Sequence, residues 1–160
     1  MTPLNILVLC TGNSARSILL ESILNHTSGG RIKAYSAGSN PTGKVHPHSL
    51  KLLSQLGHDI SSARSKSWDE FARPGAPVMD MVITVCGSAA AETCPIWPGV
   101  PLRLHWGVDD PADCTTDCDQ AFRSAYEILA RRADKLLTLP IEKMGTAALK
   151  IAATEIGIST

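Results

Sequence analysis

The chain has 160 residues, 44% of them hydrophobic, which is the size of one domain and enough apolar material for a single core. Fifteen Lys plus Arg balance fifteen Asp plus Glu, for a formal net charge of zero, and this argues against a nucleic acid held through neutralised phosphates. The apolar run at residues 6–10 is far short of a membrane span, and no basic residue precedes Arg16 as a secretory leader would require, so a cytoplasmic monomer with no membrane partner is expected.

Residues 5–10 are apolar without polar alternation, the pattern of a strand buried on both faces of a parallel sheet. The turn and cap residues Thr11, Gly12, Asn13 and Ser14 end it. From Ala15 the pattern becomes helical, with Leu20, Ile23 and Leu24 on one face, until Gly29 and Gly30 stop it. A second strand is predicted over residues 32–37, a turn over 38–43, and a helix over 48–56 carrying Leu50, Leu52, Leu53 and Leu56. Strands over 79–85 and 102–106 follow, then a long helix over 120–139, with Phe122, Ala125, Leu129, Ala133 and Leu136 along one face, interrupted by Pro140. Residues 141–153 can add a short helix, and 156–158 are too brief to classify. The expected architecture is α/β, a central parallel four-stranded sheet with helices on both faces. Residues 1–140 form the domain, and 141–160 form a C-terminal extension packed on it.

Ligands of such sheets bind beyond the carboxyl ends of the strands, where Cys10, Cys86 and the segment after Trp106 fall. Five cysteines (Cys10, Cys86, Cys94, Cys114, Cys118) are an odd set without an export signal, so a permanent disulfide framework explains them poorly. The segment from Cys10 to Ser17 sets Cys and Arg six positions apart across a turn that opens a helix. The amides of Thr11, Gly12, Asn13, Ser14, Ala15, Arg16 and Ser17 can converge on one point, and the helix dipole adds positive potential there, which suits a tetrahedral oxyanion. The Arg16 guanidinium can clamp two oxygens. The same field favours the Cys10 thiolate, to which the Ser17 hydroxyl can donate. The plainer alternative is a buried strand-end thiol and a solvated arginine.

Residues 8–17, read as Val-Leu-Cys-Thr-Gly-Asn-Ser-Ala-Arg-Ser, resemble the anion loop of the low-molecular-weight tyrosine phosphatase superfamily, in particular its arsenate reductase branch. Ser36-Ala37-Gly38, Ser65-Lys66 and residues 105–111, with Asp110-Pro111, agree with it. The resemblance covers about residues 5–137 and implies a thiolate attack by Cys10, with Asp110 as general acid. Phosphatases of the superfamily carry a second Cys in the loop, a Pro after the Ser, and aromatic residues after Asp-Pro, where this chain has Ala15, Ile18 and Ala112.

In the reductase branch a pair such as Cys86 and Cys94 supplies electrons. Cys86 would resolve the Cys10 adduct, and Cys94 would pass the disulfide to thioredoxin, or to glutathione with glutaredoxin, with no organic cofactor bound. That relay implies a mobile segment over residues 87–98. Arsenate is the expected substrate, with phosphate or sulfate competing, in a detoxification role. A phosphotyrosine or aryl phosphate phosphatase is the first alternative, and a noncatalytic oxyanion or redox sensor the second.

Cys114 and Cys118 permit a local disulfide or a metal pair, and Cys114 is an alternative outer thiol to Cys94. A zinc site from Cys86, Cys94, Cys114 and Cys118 has unsuitable ligand spacing. By the resemblance, Asn13, Glu21 and Ser36 match a structural potassium site whose acidic fourth member is here Ser65. Among the histidines, His46 and His48 read as helix-cap and surface residues, and His105-Trp106 is expected to pack beneath the acid loop.

Overall fold

The computed structural model describes residues 3–86, 97 and 101–158. Strand β1 (Leu4–Cys10) pairs in parallel with β2 (Ile32–Gly38) and β3 (Met81–Thr84), and β3 pairs with β4 (Leu102–His105), giving the order β2-β1-β3-β4. Ile6 through Cys10 are all buried, because β1 is an interior strand covered on both faces. The helices are α1 (Arg16–Thr27), α2 (Pro47–Gln55), α3 (Cys118–Leu137) and α4 (Thr146–Ile158), with short 3-10 turns at Trp68–Phe71 and Pro111–Asp113.

The two faces of the sheet differ. Ile6, Val8, Met81, Ile83 and Leu104 pack in one cluster with side chains from all four α-helices. Leu7, Leu9 and Val82 face the other way, where among the described residues the cover is Trp68, Phe71, Met79 and Trp97. Each fully buried leucine or isoleucine here contributes about 1.5–3 kcal/mol relative to exposure.

Several boundaries depart from the sequence expectation for local reasons. Helix α2 starts one residue early because Pro47 at its first position needs no amide partner, and the His46 Nδ1 accepts from the His48 amide at 3.2 Å. Helix α3 starts at Cys118, capped by Asp117 accepting from the Gln120 amide, and ends at Leu137. Pro140 therefore follows the cap instead of interrupting the helix. The terminal helix begins at Thr146, after a turn closed by Lys143 donating to Pro140 O, and it includes residues 156–158. Leu149, Ala153 and Ile156 form its buried face and enter the main core cluster. A Cβ on Gly157 would stand 2.5 Å from Trp106 Cδ1, so only glycine allows α4 to lie this close to β4.

Trp106 packs under α4, not under the acid loop. It is fully buried, and its indole donates to Ala153 O at 2.9 Å. His105 is exposed and bonds Thr84 Oγ1 at 2.7 Å. No helix among the described residues is long and apolar enough to cross a membrane. The expected mobile segment 87–98 lies outside the described residues except for buried Trp97.

Candidate active site

The carboxyl ends of two interior strands hold the chemistry. Cys10 ends β1 and Cys86 follows β3 by two residues, with the Val85 amide still donating to Leu9 O at 2.9 Å. Thr11 Oγ1 lies 3.6 Å from Cys86 Sγ, so the second thiol borders the Cys10 loop. Among the described residues the free cysteines are Cys10 and Cys86, and both are buried.

The loop from Cys10 to Arg16 is held from outside by its carbonyls. Thr11 O accepts from Asn40 N, Gly12 O from Thr42 N and the Ser65 hydroxyl, and Ser14 O from His46 N and the Ser49 hydroxyl, all at 3.0 to 3.1 Å. In a trans peptide the N–H points opposite the C=O, and no cis bond occurs among the described residues. The amides of Gly12, Asn13 and Ala15 are therefore turned toward the inside of the loop, an anion nest at the start of α1. Ala15, the N-cap of α1, offers no side-chain cap, which leaves the first-turn amides to a ligand. Asn13 adopts a left-handed φ of 48°, which asparagine tolerates. Gly38 closes the loop from the β2 side, and a Cβ there would stand 2.3 Å from Thr11 O.

The donor pattern around Cys10 is determined by its neighbours. Asn13 Oδ1 accepts from the Lys66 amide at 2.9 Å, so its Nδ2 must be the group that donates to Ser17 Oγ at 2.8 Å. Ser17 then has its hydroxyl hydrogen left for Cys10 Sγ, 3.0 Å away. Asn13 and Ser17 are wholly buried, and a thiolate is the better acceptor for that hydrogen.

Arg16 reaches across to the acid loop, donating to Val108 O at 3.0 Å and pairing with the Asp110 carboxylate at 3.4 Å. Asp110 accepts from the Ala112 amide at 3.0 Å and so caps the 3-10 turn at Pro111–Asp113. Arg16, Cys86, Asp109, Asp110, Asp113 and Arg131 line an open cleft of about 770 Å³. The sequence reading missed Arg132, which donates to Trp106 O and Gly107 O at 2.8 and 3.1 Å and anchors the root of the acid loop. Burial and Arg131 push its guanidinium down from its ordinary value. Its position between Leu129 and Ala133 on the buried stripe of α3 was the available signal, since a charge there needs an internal partner.

Cys114 and Cys118 form a disulfide with Cα atoms 5.4 Å apart. Of the options the spacing left open, this is the local disulfide, and it removes Cys114 as a free outer thiol and both residues as metal ligands. The turn from Pro111–Asp113 into α3 brings the two sulfurs together. Cys94 lies outside the described residues. Among those described, no three His, Cys, Asp or Glu residues are grouped to hold a metal ion.

The matched potassium positions do not fit a bound cation. Glu21 accepts from the Ser36 hydroxyl at 2.9 Å, and its other oxygen faces the Lys66 ammonium at 4.0 Å. The Asn13 oxygen is taken by the Lys66 amide, and Ser65 is occupied with Gly12 O and the Gly43 amide. An ammonium already supplies the positive charge.

Residues 5–149 match the family model described as low molecular weight phosphotyrosine protein phosphatase, beyond the 5–137 over which the resemblance was read. Arsenate reductases of Halalkalibacterium halodurans and Bacillus subtilis are each 41% identical over 104 residues, covering 65% of this chain and 71% of theirs. Among solved structures, the thioredoxin-dependent arsenate reductase of Corynebacterium glutamicum aligns with a TM-score of 0.61 at 25% identity, over 86% of this chain and 63% of that one. The low molecular weight protein tyrosine phosphatase from T. tengcongensis aligns at 0.67 with 28% identity, over 88% and 99%. With the anion nest running from Cys10 to Arg16, Arg16 paired to Asp110, and residues 5–149 matched, the chain belongs to the low molecular weight phosphotyrosine protein phosphatase family.

Proposed function

We propose that this protein reduces arsenate to arsenite through a cysteine relay. The observation that carries the reading is Cys86 at the border of the Cys10 loop, because hydrolysis of a phosphate ester needs no second thiol, whereas a two-electron reduction does. The names of its relatives point the same way.

Arsenate docks in the nest against Arg16, and the Cys10 thiolate attacks arsenic. One arsenic-bound hydroxyl departs as water after taking a proton from the Asp110 carboxyl, which leaves Asp110 as the carboxylate that pairs with Arg16. Cys86, as thiolate, then attacks Cys10 Sγ. The electron pair of the sulfur–arsenic bond passes to arsenic, which leaves as arsenite, and a Cys10–Cys86 disulfide remains. Attack of Cys94 on Cys86 Sγ expels the Cys10 thiolate and moves the disulfide to Cys86–Cys94, from which an external dithiol removes it. Thioredoxin is the favoured reductant, with glutathione and glutaredoxin the other source of electrons. The reaction needs no tightly bound cofactor, and its setting is the cytoplasm.

The test supplies arsenate, thioredoxin, thioredoxin reductase and NADPH and follows loss of NADPH. Turnover is expected for the wild type, none for Cys10→Ser or Cys86→Ser, and none for Cys94→Ser with thioredoxin as sole reductant. Absent turnover together with brisk hydrolysis of an aryl phosphate would replace the reductase with a phosphatase. Inactivity in both assays would favour an oxyanion sensor.

A further inference from the structure

Glu21 and Lys66 lie outside the reacting groups yet connect to them through an unbroken chain of contacts. Lys66 comes from the segment after α2, and its side chain is only 7% exposed. Its ammonium faces Glu21 Oε2 and donates to Arg64 O at 3.1 Å, while its backbone amide donates to Asn13 Oδ1 and its carbonyl accepts from Gly38 N at 2.9 Å. Glu21, on α1, is held by the Ser36 hydroxyl from β2. The neighbouring charges, Arg64 and Glu70, pair with each other at 2.7 Å. Burial pushes the Glu21 carboxyl up and the Lys66 ammonium down from their ordinary values, and each charge partly offsets the other's shift. A buried charge without a partner is costly, so each of the two constrains where the other can sit.

We propose that the Lys66 ammonium is the built-in counter-charge of Glu21, and that this pair is a positioning element for the nucleophile. By fixing the backbone at Lys66 it holds the Asn13 carboxamide in the one orientation that leaves the Ser17 hydroxyl hydrogen to Cys10. The chain thus carries its own cation where the residues reject a bound one, and its Cys10 loop works equally well in potassium, sodium or choline salts.

The pair lines a cavity of about 810 Å³ with Arg64, Glu70, Lys33 and Tyr35, so a small cation can reach Glu21 if the ammonium is removed. That makes Lys66→Met testable by chemical rescue. The inference rests on Cys10 being the nucleophile, and the readout is chosen to need no turnover, so that a failure of arsenate reduction leaves it standing.

The experiment measures alkylation of Cys10 by iodoacetamide, site-resolved by peptide mass spectrometry, and its protection by inorganic phosphate. In Lys66→Met in choline chloride, alkylation is expected to slow and phosphate protection to weaken, each about tenfold, the scale of a lost hydrogen bond to a charged group. Potassium or ammonium is expected to restore most of the loss, and Lys66→Arg to stay within about threefold of wild type, as a retained charge requires.

Three outcomes would overturn the proposal: wild-type protein stimulated several-fold by potassium over choline, Lys66→Met unchanged, or a Lys66→Met loss that no cation relieves in a protein melting like wild type. If Lys66→Met does not fold, the double variant Glu21→Gln/Lys66→Met removes both charges together. It is expected to show slow alkylation with no cation response, and wild-type rates there would equally overturn the proposal.

Discussion

Arg16 shows how one side chain couples two parts of the site. It opens α1, where its own backbone belongs to the anion nest, and its guanidinium reaches Val108 O and Asp110 across the cleft. A lysine retains the charge but cannot hold an oxyanion bidentately while touching the acid loop. Arg16→Lys is therefore expected to lower kcat/KM for arsenate about a hundredfold, or about 2.7 kcal/mol of transition-state stabilisation. Steady-state kinetics would check this, and a loss of less than threefold would show that Arg16 supplies only charge. Cys10, Arg16 and Asp110 could be singled out as candidates in the sequence because the chemistry proposed for them is carried by residue type and spacing. Arg132 and Lys66 could not, because their roles depend on which carbonyls and carboxylates the fold brings against them from other elements.

At the scale of elements, the end of β2 supports the loop at the end of β1. Cys10 pairs with Gly38 in the ladder, and Gly38 N also bonds Lys66 O. Gly38→Ala would drive a methyl group into Thr11 O, a backbone atom that cannot swing aside. The expected cost is about 1–3 kcal/mol of stability, as for other overpacked sites, together with weakened phosphate protection of Cys10. Urea melts and the alkylation assay measure the two effects separately, and a variant unchanged in both would mean that β2 and the loop move apart freely.

The Cys114–Cys118 bridge acts on the other wall of the cleft, between the Pro111–Asp113 turn and α3. A link across so short a span is worth about 2 kcal/mol in the chain-entropy view. Reduction, or a Cys114→Ser/Cys118→Ser pair, is thus expected to lower Tm by about 4–8 °C, with arsenate turnover retained because the relay does not use these sulfurs. Loss of turnover at unchanged Tm would assign them a part in electron transfer. This bridge was only one of several options in the sequence, since spacing alone does not distinguish a disulfide from a metal pair.

Across the whole molecule, the order of strands and helices could be read from apolar runs and turn residues, because an interior parallel strand such as β1 has a pattern that little else produces. The terminal helix was misplaced, because its buried face is defined only by contact with Trp106 and β4. The histidines were legible only as isolated residues, yet His58 joins three elements. Its Nδ1 bonds Ser22 Oγ on α1 and its Nε2 bonds Tyr126 OH on α3, both at 2.8 Å, and its ring stacks on His26 at 4.1 Å between centroids. Burial, then the His26 charge, push its pKa below the ordinary value near 6.5, and burial with His48 does the same to His46. Above that value the folded and unfolded chains both hold these rings neutral and stability is complete. As the pH falls through it, the unfolded chain takes up protons first, so unfolding becomes easier. Glu21, whose carboxyl is raised, acts with the opposite sign, gaining its proton first in the folded chain as the pH falls toward its range. The urea midpoint is therefore expected to drop between about pH 7.5 and pH 5.5, the interval that brackets an unfolded histidine, and His58→Gln is expected to flatten part of that drop. A midpoint that rises over this interval, or a slope that His58→Gln leaves unchanged, would show that the joint between α1, α3 and the segment after α2 carries a protonated His58 at no cost.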